Sequence, residues 1–117
     1  MAAEFKRGAV EGTGSAINVS IGFQPDYVKC FNIDDAGDLH AVAEWTTDMA
    51  DASMFKGLKI ADDGTTSNLS NTYVASDGIT PYAGDDTNGE GFTIGADGDL
   101  NASGETIVWI AMRDAGG

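Results

Sequence analysis

The chain has 117 residues, which suits one domain, and its 42% hydrophobic content can build a real core. Nineteen acidic residues against six Lys and Arg give a formal charge of −13, which argues against nucleic-acid binding because phosphate would be repelled by most of the surface. A single cysteine excludes an intrachain disulfide, and no apolar run reaches membrane-spanning or signal-peptide length, so the chain is expected to fold in a reducing cytoplasm.

Sixteen Gly with two Pro, and β-branched and aromatic residues between the glycines, predict many short strands joined by tight turns. Met1–Arg7 reads as an N-terminal arm ahead of a domain spanning 8–117, with a first strand over Phe5–Val10. Ile17, Val19, Ile21 and Phe23 alternate strictly and define the clearest strand. Gln24-Pro25-Asp26 breaks it. A strand follows over Tyr27–Ile33, then a turn at Asp34–Asp38, then a strand over Leu39–Thr46 with Leu39, Ala41, Ala43 and Trp45 on one face.

Thr47–Ser53 is expected to form one helical turn before a strand over Met54–Ile60. From Ala61 to Glu90 turn residues dominate and predict long exposed loops, with short extended pieces at Asn71–Ala75 and Ile79–Tyr82. Gly91–Gly95 is a strand, and Thr106–Met112, apolar on both faces, reads as a central one. The pattern predicts an all-β, single-domain antiparallel β-sandwich, with jelly-roll topology as the first expectation.

The residue inventory offers little chemistry. His40 is the sole histidine and has no nucleophile signature near it, so no catalytic residues are assigned and no enzyme activity is expected. One Cys and one His cannot make a zinc site. Gly12-Thr13-Gly14 lacks the later glycine of a dinucleotide loop, and no cofactor is expected. Cys30 lies in an apolar run and reads as an inert packed thiol. The acid pairs Asp34/Asp35, Asp62/Asp63 and Asp85/Asp86 are explained by turn formation. The sequons at Asn18, Asn68 and Asn101 carry little meaning without a secretory route.

Asp97-Gly98-Asp99-Leu100-Asn101 begins like a calcium loop. Ala102 and Val108, however, stand where such a loop needs its glycine and its final bidentate Glu. A hydrogen-bonded turn is the alternative, and no metal is assigned.

The basic residues are unevenly placed. Lys6, Arg7, Lys29, Lys56 and Lys59 precede a stretch from Ile60 to Met112 that has none, and Arg113 follows. Phe5, Lys6, Arg7 and Arg113, near the chain ends, are the candidate partner-docking residues, with Phe5 as apolar anchor. Tyr73 and Tyr82 are candidate loop contacts, either stacking on a glycan or anchoring loops to the domain.

Gly22-Phe23-Gln24-Pro25-Asp26-Tyr27-Val28 with Asn32 forms one motif. Gly91-Phe92-Thr93-Ile94-Gly95, Asp99-Leu100-Asn101-Ala102-Ser103-Gly104-Glu105-Thr106 and Trp109-Ile110-Ala111 form a second. Together they resemble a pattern in tailed-bacteriophage virion structural proteins of head-decoration or tail-fibre type. The resemblance implies a virion β-domain made in the host cytoplasm. Its partner would be the major capsid protein or another virion protein, and it would self-associate, with a trimer as the expected oligomer. Standing nearly alone, the domain suits a decoration or cement protein on the outside of the head; a tail-fibre, baseplate or glycan-binding module is the alternative. No membrane partner is expected.

Overall fold

The computed structural model describes residues 4–34, 41–62 and 67–114. Eight strands run in chain order: β1 Glu4–Glu11, β2 Ile17–Ser20, β3 Tyr27–Asn32, β4 Ala41–Thr46, β5 Ser53–Asp62, β6 Ser67–Tyr82, β7 Gly91–Ile94 and β8 Thr106–Arg113. They form one antiparallel sheet in the order β1-β8-β3-β4-β5-β6-β7-β2, curled into a half-barrel. The all-β antiparallel domain expected from the sequence is therefore present, with a simpler connectivity than a jelly roll, which divides its strands between two sheets. Strands β3 to β7 follow one another as a meander, and the two layers that face each other are halves of a single sheet.

The bend sits in β6. Its first part pairs with β5, and Ile79–Tyr82 pairs with Gly91–Ile94 of β7. Between them Ser53 lies opposite Ile79 while Met54 lies opposite Val74, so Ala75–Gly78 bulge out of the ladder and turn the strand through the corner. Asp77 adopts a φ of 58° there, and a Cβ on Gly78 would fall 2.5 Å from the Ser53 backbone. Only glycine permits that approach.

The curled sheet encloses Val28, Cys30, Ala41, Ala43, Trp45, Met54, Ile79, Phe92, Ile94, Ile107, Trp109 and Ala111. Phe92 of β7 meets Trp109 of β8 edge-to-face with ring centroids 5.5 Å apart, which ties the two halves together.

Each end of the half-barrel is closed by a connection. At one end Gly22–Asp26 crosses from β2 to β3, burying Phe23 and Pro25, with the Arg113 guanidinium 5.3 Å from the centre of the Phe23 ring. At the other end the β7–β8 connection buries Leu100 and Asn101. The Asn101 side chain accepts from the Thr13 and Gly14 amides at 2.9 and 3.4 Å and donates to the Ser15 and Gly95 carbonyls at 2.7 and 2.9 Å. Buried Asn32 donates to the Leu100 carbonyl at 3.3 Å and to Glu105 Oε1 at 2.7 Å. The Gly22–Asp26 part of the first sequence motif and the Asp99–Glu105 part of the second are thus end closures of the barrel, while Gly91–Ile94 and Trp109–Ala111 of the second lie in β7 and β8.

Three expectations are corrected. Glu4–Arg7 are not an arm but the first half of β1, pairing Glu4 with Arg113 through Arg7 with Ile110; Met1–Ala3 lie outside the described residues. Thr47–Ser53 form two successive turns, closed by Met49 N–H to Thr46 O at 3.0 Å and Ser53 N–H to Ala50 O at 3.2 Å. The Trp45 indole N–H and the Ser53 hydroxyl also donate to the Ala50 carbonyl, at 3.1 and 2.6 Å, so that oxygen is taken up by β4 and the turn and not by a helical ladder. The span 61–90 is largely strand, because β5 and β6 satisfy each other's backbone groups despite turn-favouring side chains. Asn71, Thr72 and Tyr73 are all exposed, so both faces of that ribbon are wet and alternation is not required. His40 and Asp63 lie outside the described residues.

Removing the Asn101 carboxamide leaves two amides and two carbonyls without their partner. Asn101→Ala is expected to cost about 2–4 kcal/mol, measured as a lower midpoint in urea or thermal unfolding.

Candidate interaction face

The four candidate docking residues are not gathered on one face of the sheet. Arg113 is committed to the domain: its Nη2 lies 3.0 Å from Glu4 Oε1 and its guanidinium stacks on Phe23. Lys6 points to the same side, towards Gly22. Phe5 and Arg7 alternate with it and stand on the opposite, outer side of the sheet. The pair Tyr73 and Tyr82 is likewise divided by the β6 corner. Tyr82 anchors the β6–β7 loop by donating to Asp85 Oδ2 at 2.8 Å, a hydrogen bond that raises its pKa. Asp85 also accepts from the Thr87 and Asn88 amides at 2.8 and 2.7 Å. These amides, the Asn88 amide foremost, hold the Asp85 carboxyl down at about 2. Tyr73 stands free of that loop, beside Phe55 on the outer face.

The Asp97–Asn101 segment is a hydrogen-bonded turn. Asp97 Oδ1 accepts from the Asp99 and Leu100 amides at 3.0 and 3.1 Å. The Lys56 ammonium lies 2.8 Å from Asp97 Oδ2 and 2.9 Å from Asp99 Oδ2, with only 15% of its side chain exposed. Burial alone lowers the Lys56 pKa, but its hydrogen bonds and charge attraction to the two carboxylates outweigh this and raise it. The ammonium occupies the position between the carboxylates that a cation would need.

Cys30 is fully buried, and burial pushes its thiol to about 12, leaving almost no thiolate at neutral pH. Among the described residues no cluster of His, Cys, Asp or Glu could hold a metal ion.

The outer face of the sheet is the feature that composition did not reveal. Register aligns its side chains in rows across the strands. The central row runs Arg7, Ile110, Lys29, Glu44, Phe55, Tyr73 over β1, β8, β3, β4, β5 and β6. On one side lie Phe5, Met112, Tyr27 and Thr46; on the other lie Ala9, Val108, Phe31 and Val42. Phe5 is 56% exposed, Tyr73 50%, Phe55 45% and Met112 39%.

Arg7, Lys29 and Glu44 are the charged members of these rows, two cations and one carboxylate, for a formal charge of +1 on a molecule of −13. Lys29 Nζ sits 5.3 Å from the centre of the Phe31 ring, and Glu44 Oε2 accepts from the Tyr27 hydroxyl at 2.7 Å. Burial first, then that hydrogen bond and the Glu44 charge, push the Tyr27 pKa to about 12. A contiguous apolar, nearly neutral face of this kind offers a surface on which another molecule could pack.

Of this face the sequence singled out Phe5, Arg7 and Tyr73, and it gave no sign of Tyr27, Lys29, Phe31, Val42, Phe55, Val108, Ile110 and Met112. The available signal was that β8 is apolar on both sides, a feature read only as the mark of a central strand. Compared with known proteins, the chain matches no family model, no curated protein and no solved structure.

Because the Lys56 pKa is raised on folding, its stabilisation is complete below the pKa of an unfolded lysine and is lost only as pH rises through the higher folded value. Lys56→Met is expected to lower stability by about 1–3 kcal/mol at neutral pH, since it strands mostly buried Asp97. The wild type should melt at the same temperature in chelator and in added calcium; a calcium-dependent rise in its melting temperature would refute the ammonium's role.

Proposed function

We propose that this chain is a non-enzymatic virion structural protein, a decoration protein that binds the outside of a tailed-bacteriophage head through the outer face of its sheet. The observation that carries the docking role is the near-neutral apolar face on a molecule of charge −13. Acidic groups elsewhere keep the free protein soluble and discourage unspecific association, while this face allows close contact. The virion setting rests on the resemblance of the Gly22–Val28 and Gly91–Ala111 motifs to tailed-phage structural proteins. A head must hold against the pressure of packaged DNA. A small rigid β-domain spread over its lattice adds contact area at each point it occupies.

A second reading, a tail-fibre or baseplate module that touches a host glycan, is favoured by the exposed Phe55–Tyr73 pair, whose adjacent rings offer a stacking platform for a sugar.

The docking role is tested by adding purified protein to particles lacking it. Ile110→Asp and Phe55→Asp should abolish occupancy while keeping the wild-type circular dichroism spectrum, and Asp86→Asn should bind as the wild type does. Image reconstruction should place the density on capsid lattice points. Full occupancy by both face variants would refute docking through this surface, and density confined to the tail would select the second reading.

A further inference from the structure

We infer that the outer face is covered by a different protein whose contact surface is apolar at its centre and basic at its rim, and not by a second copy of this chain; the inference rests on reading that face as a docking surface.

The reason is the placement of charge along the strands. The rows from Phe5 to Ala9 and from Tyr27 to Phe31 are apolar with a slight positive excess, but carboxylates stand where each strand leaves the face. Beyond the Phe5–Met112–Tyr27 row lie Asp26 and Asp114, joined by a hydrogen bond from the Asp114 amide to Asp26 Oδ2 at 3.0 Å. Beyond the Ala9–Val108–Phe31 row, Glu11 pairs with Thr106, whose amide donates to Asp34 Oδ2 at 3.0 Å. The apolar surface is therefore bounded by acid at both ends.

The first of these ends is also concave. Phe5, Tyr27 and Met112, together with Glu4, Asp26, Arg113 and Asp114, line a cleft of about 330 Å³. Apolar walls beside carboxylates suit a lysine or arginine side chain, whose alkyl stem packs on the rings and the methionine while its charge meets the acids.

A second copy offers the opposite of what is needed. It would set acid rim against acid rim on two molecules that each carry −13, and like charges juxtaposed at an interface are strongly disfavoured. A basic-rimmed partner gains from the same charges, which also steer its approach.

The test uses the full chain, immobilised, to select from a random peptide display library, discarding peptides that also bind Ile110→Asp or Phe55→Asp. The enriched peptides should carry aromatic or aliphatic residues flanked by Lys or Arg. Their affinity should fall about tenfold or more between about 50 and 500 mM salt, as screening removes the rim attraction. Combining Glu11→Gln with Asp114→Asn should weaken binding about three- to tenfold and flatten the salt dependence.

Enrichment of neutral or acidic apolar peptides, salt-insensitive binding, or no peptide surviving the counter-selection would overturn the inference. So would a dimer or trimer of the chain alone in sedimentation velocity that is abolished by Ile110→Asp and Phe55→Asp; that result would assign the face to a second copy while leaving the particle-occupancy assay to judge docking.

Discussion

The fold depends on the Asn101 carboxamide. A sheet curled into a half-barrel has two open ends, and its core stays dry only if the connections across them are held in place. The β7–β8 connection lies outside the strand ladders, and its backbone groups are satisfied by a few backbone bonds, among them Gly104 N–H to Gly12 O at 2.9 Å and Gly12 N–H to Glu105 O at 2.7 Å, and by side chains. Asn101 satisfies four backbone groups from two segments at once: Thr13, Gly14 and Ser15 of the β1–β2 connection and Gly95 at the end of β7. Asn32 holds the same loop from β3. The Asn101 and Asn32 side chains are themselves buried, which strengthens the bonds they make. A single amide thereby fixes where Leu100 enters the core and where β8 begins.

That placement decides which face of β8 is inside. Ile107, Trp109 and Ala111 point into the barrel, and Val108, Ile110 and Met112 point out. A one-residue slip would exchange the two sets. Anchoring at Asn101 and Asn32 prevents the slip, so the end closure and the outer face are linked through one register. The apolar character of β8 on both sides makes this anchoring more important, because hydrophobicity alone would tolerate either orientation.

The few cations show the same division between fold and surface. Lys56 is held by Asp97 and Asp99, and Arg113 by Glu4 and the Phe23 ring. Both relieve local acid crowding inside the domain. Arg7 and Lys29 remain on the outer face with Glu44. The result is a molecule whose excess negative charge is displaced from one apolar surface to its margins.

Much of this was present in the amino-acid sequence as local pattern. Alternation at Ile17–Phe23 specified a strand, though the ladder ends at Ser20 and Ile21 and Phe23 are buried in the connection that follows; alternation also specified the inner residues Ala41, Ala43 and Trp45 of β4, Pro25 specified a break, and burial of Cys30 followed from its apolar neighbours. These are properties of a residue and its near neighbours along the chain, so they are readable without a fold. The order β1-β8-β3, the corner in β6 and the rows of the outer face are pairings between residues distant in sequence, and no local pattern encodes them. Turn-favouring residues in β6 became strand because β5 supplied their hydrogen bonds, and the expected arm became strand because β8 supplied its own. For the same reason Lys56, more than forty positions away, answered the calcium-like spacing at Asp97. Whether an apolar residue on β3 or β8 lies in the core or on the outer face depends on whether the sheet covers both of its faces. Only the curl of the sheet, closing over one face and leaving the other open, decided that.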